Sequence, residues 1–167
     1  MKNVIKGALI VLFGAVLMLS CKKDDSCKLS PNLSGIDKDQ LKIDTDSIDS
    51  FLTQKGITAT KDPSGLRYVI HEQGTGGKPV LCDWVTVKYV GTLHDGREFD
   101  SSKGEAVNFR LNGLILGWQV GFSGFNTGTK ATLYVPSQMA YGSNPRSGSI
   151  IGANENLIFE VELIRAF

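Results

Sequence analysis

The last part of the chain has the most regular pattern. Leu157, Phe159, Val161 and Leu163 alternate with Glu160 and Glu162, the two-residue period of a strand with one buried face, predicted over 157–164. Val85, Val87 and Tyr89 alternate in the same way with Thr86 and Lys88, predicting a strand over 85–93. A third run, 129–135, turns Ala131, Leu133 and Val135 inward and stops at Pro136, which cannot donate to a ladder. Shorter strands are predicted at 66–72, 98–100 and 107–111. His94-Asp95-Gly96-Arg97 reads as a tight turn between two of them. The segment 114–122 breaks the alternation. It has few β-branched residues and sets Leu114, Trp118 and Val120 or Gly121 on adjoining helical faces, so a short helix is predicted there. Upstream, Ile43, Ile48, Phe51 and Leu52 fall partly on helical spacing, with Thr45 or Asp46 as a cap and Gly56 as a stop. That predicts a small helix within 41–55, leaning on the main domain or supporting dimerisation. A loop rich in Gly, Ser and Asn fills 137–156. The fold class expected is α+β: a twisted antiparallel sheet wrapped around one short α-helix.

The N-terminus follows a different rule. Lys2 and Lys6 precede an apolar run from Ala8 to Leu19. That run falls short of the ~20 apolar residues of a membrane span and suits the core of a secretory signal. Ser20 is small and sits directly before Cys21, an arrangement that resembles a bacterial lipobox. The resemblance implies cleavage before Cys21 and a lipid on its thiol. The alternatives are cleavage elsewhere or an uncleaved anchor. Three parts are expected: a lipoprotein signal at 1–20, a polar tether with a short helix at 21–62, and a folded domain at 63–167. Cys27 lies in the tether and Cys82 near a turn; an oxidising compartment would permit a disulfide between them.

Composition removes several function classes. The net charge is +1 over 167 residues, and no stretch concentrates Lys and Arg on one face, so nucleic acid is not an expected partner. No Cys/His spacing suggests a metal. Gly74-Thr75-Gly76-Gly77 is followed by no helix signal of a βαβ unit, which excludes a dinucleotide fingerprint, and no cofactor is expected. His71 and His94 are read as solvated surface residues, and Ser101-Ser102 as backbone-bonding loop residues, which leaves no hydrolytic constellation.

Several motifs then occur in a fixed order. Val87-Lys88-Tyr89-Val90-Gly91 is followed by Asp95-Gly96 and by Phe99-Asp100-Ser101-Ser102. Ile115-Leu116-Gly117-Trp118, Ala140-Tyr141-Gly142 and Leu157-Ile158-Phe159-Glu160-Val161-Glu162-Leu163 complete the series. Over residues 64–167 this resembles the FKBP-type peptidyl-prolyl cis-trans isomerases. The resemblance implies a pocket with Trp118 as its floor and Tyr89, Phe99 and Phe159 as walls, with Val107 and Leu114 beside them. Ile115 would offer its side chain and backbone N–H. Tyr141 would donate its hydroxyl to a substrate carbonyl, and Asp100 would orient Tyr89. Ile150 and Ile151 would line a closing loop. The implied partners are X–Pro segments of exported polypeptides, macrolide immunosuppressants, and a membrane reached through the lipid on Cys21. Taken singly, each aromatic would be ordinary core; only the joint order points to a pocket.

The chain also departs from the family pattern. The basic partner of the pocket aspartate is often Arg, and Lys103 is the nearest candidate here. Gly113 stands where a larger residue is usual. The loop at 143–149 is longer than in small relatives and contains Pro145 and Arg146. A Pro-segment binding module or holdase with little turnover is the alternative function, favoured if the loop around Arg146 blocked the pocket. A mere structural spacer would need no aromatic pocket.

Overall fold

The computed structural model describes residues 30–145 and 147–167. The signal at 1–20, Cys21, Cys27 and Arg146 lie outside the described residues. Among the described residues two α-helices and seven strands follow in order, besides short 3-10 turns at Leu111–Gly113 and Ser137–Met139: α1 Lys38–Lys55, β1 Thr60–Lys61, β2 Arg67–Glu72, β3 Trp84–Leu93, β4 Glu98–Ser101, β5 Val107–Arg110, α2 Leu116–Gly124, β6 Lys130–Val135 and β7 Leu157–Ala166. Each predicted strand is present within a residue or two of its expected bounds. The strands form one antiparallel sheet in the order β1-β2-β6-β7-β3-β4, and β5 pairs with β3 as well. The long partners β3 and β7 form the centre, with Tyr89 opposite Val161 and Gly91 opposite Phe159.

Alternation decides which side chains meet α2. Leu133, Val135, Leu157, Phe159, Val161 and Leu163 point to one face and join Trp118 and Phe122 of α2 in the main core. The helix lies close to the sheet at Gly117. A Cβ there would come within 2.4 Å of Val135 Cγ1, so any side chain would lift the helix away.

The other face holds a difference from expectation. α1 runs 18 residues from Lys38, capped by Asp37, whose carboxylate accepts the N–H groups of Asp39 and Gln40. The expected caps, Thr45 and Asp46, lie inside the helix. Gly56 ends it in the left-handed region at φ +66°, donating its N–H to the last turn. Ile48 and Leu52 are buried against Tyr134, with Phe51, Val69 and Ile158 around them. Ile43, by contrast, is 62% exposed, so three of the four residues that predicted the helix, Ile48, Phe51 and Leu52, form the stripe that packs. The sheet is therefore covered on both faces where α1 crosses it. This is why β6 is buried at every position from Ala131 to Val135 and not at alternate ones. Cys82 is disulfide-bonded. No helix among the described residues is long and apolar enough to cross a membrane.

One carboxylate, in two ion pairs, ties α1 to the sheet edge. Asp49 receives Arg67 at 2.9 and 3.2 Å and Lys61 at 2.8 Å. The Arg67 hydrogen bond leads the causes that lower the Asp49 carboxyl from 3.8 to about 2. A folded-state pKa below the unfolded one adds stability above the unfolded value, and this is lost as pH falls through the folded one. We predict that Asp49→Asn loses about 1 kcal/mol at neutral pH, discounted for partial exposure. The difference from wild type should close between about pH 4 and about pH 2 in urea melts.

Candidate functional site

The centre of the site is Trp118, in the first turn of α2 and 4% exposed. Four rings stand edge-on or steeply tilted to its indole: Tyr89 at 5.1 Å, Phe159 at 5.2 Å, Phe122 at 5.1 Å and Phe109 at 6.2 Å between centroids. Phe99 meets Phe159 at 5.4 Å and 90°. Edge-to-face contacts of this kind set the positive edge of one ring on the negative face of another, which fixes ring orientation as well as burying area. Room for Phe99 and Phe159 comes from Gly91 on β3. A Cβ there would lie 2.6 Å from Phe99 and 3.0 Å from Phe159.

These rings bound a cavity of about 410 Å³ lined by Tyr89, Phe99, Asp100, Phe109, Gly113, Leu114, Ile115, Trp118, Tyr141 and Phe159. A smaller hollow of about 150 Å³ adjoins it, sharing Phe99, Asp100 and Tyr141 and adding Ser149 and Ile151. Every residue expected in the pocket lines one of these two spaces except Val107 and Ile150. Val107 packs against the core beneath, and Ile150 is 47% exposed. Phe109, which was not among the expected residues, lines the cavity where Val107 was expected beside the walls. It lies on the same face of β5 two residues on, so the strand period contained the signal. A hollow of about 470 Å³ over the outer face, among His71, Lys88, Lys130, Thr132 and Glu160, has charged walls and only Tyr89 as an aromatic.

The polar groups gather at the rim. The Tyr89 hydroxyl donates to Asp100 Oδ2 at 2.8 Å. Burial raises the Tyr89 phenol to about 12, and its hydrogen bond to the Asp100 carboxylate adds to the effect. Tyr89 therefore stays protonated, as a donor, across the physiological range. Lys103 does not meet Asp100; its ammonium binds Glu98 at 2.6 Å instead. The Glu98 side chain is three residues from the Ser101 hydroxyl and accepts that too, which draws Lys103 to the far side of the turn. Ile115 directly precedes α2, and its carbonyl accepts the N–H groups of Trp118 and Gln119. Its own N–H comes before the first turn, where no intrahelical acceptor exists, and Ile115 lines the cavity. The Gln119 amide reaches back to the carbonyls of Leu114 at 2.7 Å and Asn112 at 3.4 Å, fixing the bend that presents Ile115.

The histidines stay outside this site. His71 is exposed and bonds Thr132 Oγ1 at 2.7 Å. His94 is not the solvated residue expected. Its ring stacks on Phe51 of α1 at 4.5 Å and 17°, and burial lowers its pKa.

Comparison with known proteins gives a consistent result. The family model for FKBP-type peptidyl-prolyl cis-trans isomerase matches residues 76–164. A protein named FKBP-type peptidyl-prolyl cis-trans isomerase FkpA, from Aeromonas hydrophila, is 44% identical over 113 residues, covering 66% of this chain and 41% of that protein. Outer membrane protein MIP of Legionella longbeachae is 46% identical over 105 residues, covering 61% and 44%. The crystal structure of FkpA from Escherichia coli superposes with a TM-score of 0.66 at 37% identity, over 77% of this chain and 60% of that one. The crystal structure of AtFKBP13 does so with a TM-score of 0.60 at 32% identity, over 66% and 99%. The chain spans about two fifths of the length of the curated relatives it matches.

The Tyr89–Asp100 contact yields a spectroscopic prediction. Phenolate absorbance titrated in wild type and in Tyr89→Phe should differ by one phenol ionising near 12. In Asp100→Asn that phenol should ionise at lower pH but still above the ordinary tyrosine value, because burial remains.

Proposed function

The chain belongs to the FKBP-type peptidyl-prolyl cis-trans isomerases, and on that premise we propose that it accelerates rotation about X–Pro bonds in exported polypeptides at the cup around Trp118. The observation that carries this reading is the cup of aromatic rings around the buried Trp118, with the Tyr89–Asp100 pair and Tyr141 on its walls. The barrier to be lowered is the loss of amide resonance, about 18–20 kcal/mol. Uncatalysed exchange takes tens to hundreds of seconds. In the twisted transition state the amide loses its charge separation, so a site of low polarity favours it over the planar, more dipolar ground state. No bond is made or broken. The work is differential binding of the twisted form.

In this reading the proline ring rests on Trp118, between Tyr89, Phe99, Phe109 and Phe159, with Leu114 and Ile115 beside it. The Ile115 N–H and the Tyr141 hydroxyl take the carbonyls that flank the rotating bond, and Asp100 keeps Tyr89 turned to the rim. Fixed donors of this kind act without reorganising at the moment of rotation. Macrolide immunosuppressants would occupy the same cup. The apolar run before Ser20-Cys21 supports export and a lipid on Cys21, which would hold the domain at a bacterial membrane outside the cytoplasm. The relative from Legionella longbeachae, named an outer membrane protein, agrees with that placement.

Exchange of a short X–Pro peptide is expected to accelerate with the purified chain and to collapse in Trp118→Ala and Asp100→Val variants that retain native circular dichroism. No acceleration by folded wild type would refute the reading. Tyr141→Phe should cost about threefold in kcat/KM, the loss of one neutral hydrogen bond. Cys21→Ala should move the protein from the membrane fraction to the soluble one, and persistence in the membrane fraction would refute the lipid anchor.

A further inference from the structure

We infer that Asp44, on α1, is a positioning residue for the Tyr141 hydroxyl. The inference rests on the isomerase reading above. Asp44 is a carboxylate 2% exposed in the middle of a helix that otherwise packs apolar residues, so its burial needs a specific compensation. It has one. Oδ1 accepts the Gln40 amide at 2.8 Å, while Oδ2 accepts the Ser137 hydroxyl at 2.6 Å and the Gln138 N–H at 3.1 Å. The backbone carbonyl of Asp44 accepts the Asn156 amide at 3.3 Å, and Asn156 Oδ1 in turn accepts the Ser137 N–H at 2.9 Å. Ser137 and Asn156 are the two ends of the loop that contains Tyr141. A single helical residue thus fastens both.

The fastening passes directly to Tyr141. The Ser137 carbonyl accepts two N–H groups, from Ala140 at 2.9 Å and Gly142 at 2.8 Å, the neighbours on either side of Tyr141. Gly142 then accepts the Asn154 N–H at 2.8 Å, closing the loop on itself. Tyr141 is 36% exposed and makes no ring stacking contact among the described residues, so its own side chain does little to fix it. Its place at the cavity is set by backbone bonds that converge on Ser137, and Ser137 is set by Asp44. Gln138 adds a second strap, accepting the Asp37 N–H through Oε1 at 3.2 Å. The donor on this wall is therefore held from the opposite face of the sheet to the one that bears Trp118.

The test is a double-mutant cycle on the full chain, with kcat and KM separated for an X–Pro peptide. Asp44→Ala should lower kcat/KM by about threefold, no more than Tyr141→Phe itself, and mainly through kcat, since loss of alignment is felt in the transition state. In a Tyr141→Phe background the same substitution should leave kcat/KM essentially unchanged. Asp44→Asn, which keeps an acceptor for Ser137 and Gln138, should restore most of the activity. If Asp44→Ala is too unstable to assay, Ser137→Ala removes the 2.6 Å bond alone and should show the same dependence on Tyr141. Equal losses in both backgrounds would overturn the inference, because a general loss of stability would not need the Tyr141 hydroxyl. If wild type itself does not catalyse exchange, the isomerase reading fails separately. Hydrogen exchange at the Gly142 and Asn154 amides then decides: faster exchange in Ser137→Ala keeps the positioning role, and unchanged exchange removes it.

Discussion

The missing side chain at Gly117 sets the depth of everything beside it. With no Cβ there, α2 comes down on Val135 closely enough that Trp118, one residue on, reaches the interior of the cup. An alanine would need Val135 to yield by about an ångström or the helix to rise, and a close-packed interior resists both. Gly91 repeats the arrangement on the strand side, where its bare backbone gives Phe99 and Phe159 the space to stand at 90° to each other. The aromatic floor is thus built from two absences, one on the helix and one on the central strand. The rings then orient one another through their edges.

The floor and the rim are held by different means. Trp118, Tyr89, Phe109 and Phe159 sit on regular elements of the sheet and α2, whose ladders cannot shift by fractions of a register. Tyr141 sits on an irregular loop and depends on polar contacts with α1, an element outside the 76–164 span of the family model. α1 supplies apolar cover for Tyr134 and Ile158, the ion pair with Arg67, and the buried carboxylate at the foot of the loop. The helix is thereby part of the same packed unit as the cup, and this helix is also the segment through which any anchor on Cys21 would join the domain.

The strands were legible because their period is short and their faces are chemically distinct; β7, with glutamates against leucine, valine and phenylalanine, left no ambiguity. β6 was legible on its inner face only. Its outer face is buried by a helix some eighty residues earlier, which no local period can report. α1 was placed but cut short: Ile48, Phe51 and Leu52 pack as expected and Ile43 is exposed, while the first buried residue is Asp44, a residue type that normally marks solvent. Its partner Ser137 lies 93 residues away. In the site, Tyr89, Phe99, Asp100, Ile115, Trp118, Tyr141 and Phe159 were legible through the resemblance carried by the ordered motifs, since each alone would read as core or loop, and all seven line the cavity. Phe109 was missed in favour of Val107, although both share one face of β5, and only three-dimensional depth separates wall from core. Lys103 could not be assigned from proximity in sequence, because Glu98 competes for it across the turn.

In the function proposed, the cup acts through its aromatic walls and fixed donors, with no proton changing hands. Neither histidine lines the cavity, and the phenol of Tyr89 is held up to about 12. The most direct measurement is the pH profile of kcat/KM for an X–Pro peptide in H₂O and D₂O. Between about pH 6 and about pH 9 the profile should be flat, with a solvent isotope effect near unity, since no general acid or base is used. A bell-shaped profile in that window, or a rate at least about twofold lower in D₂O, would contradict it and require proton transfer in the rate-limiting step.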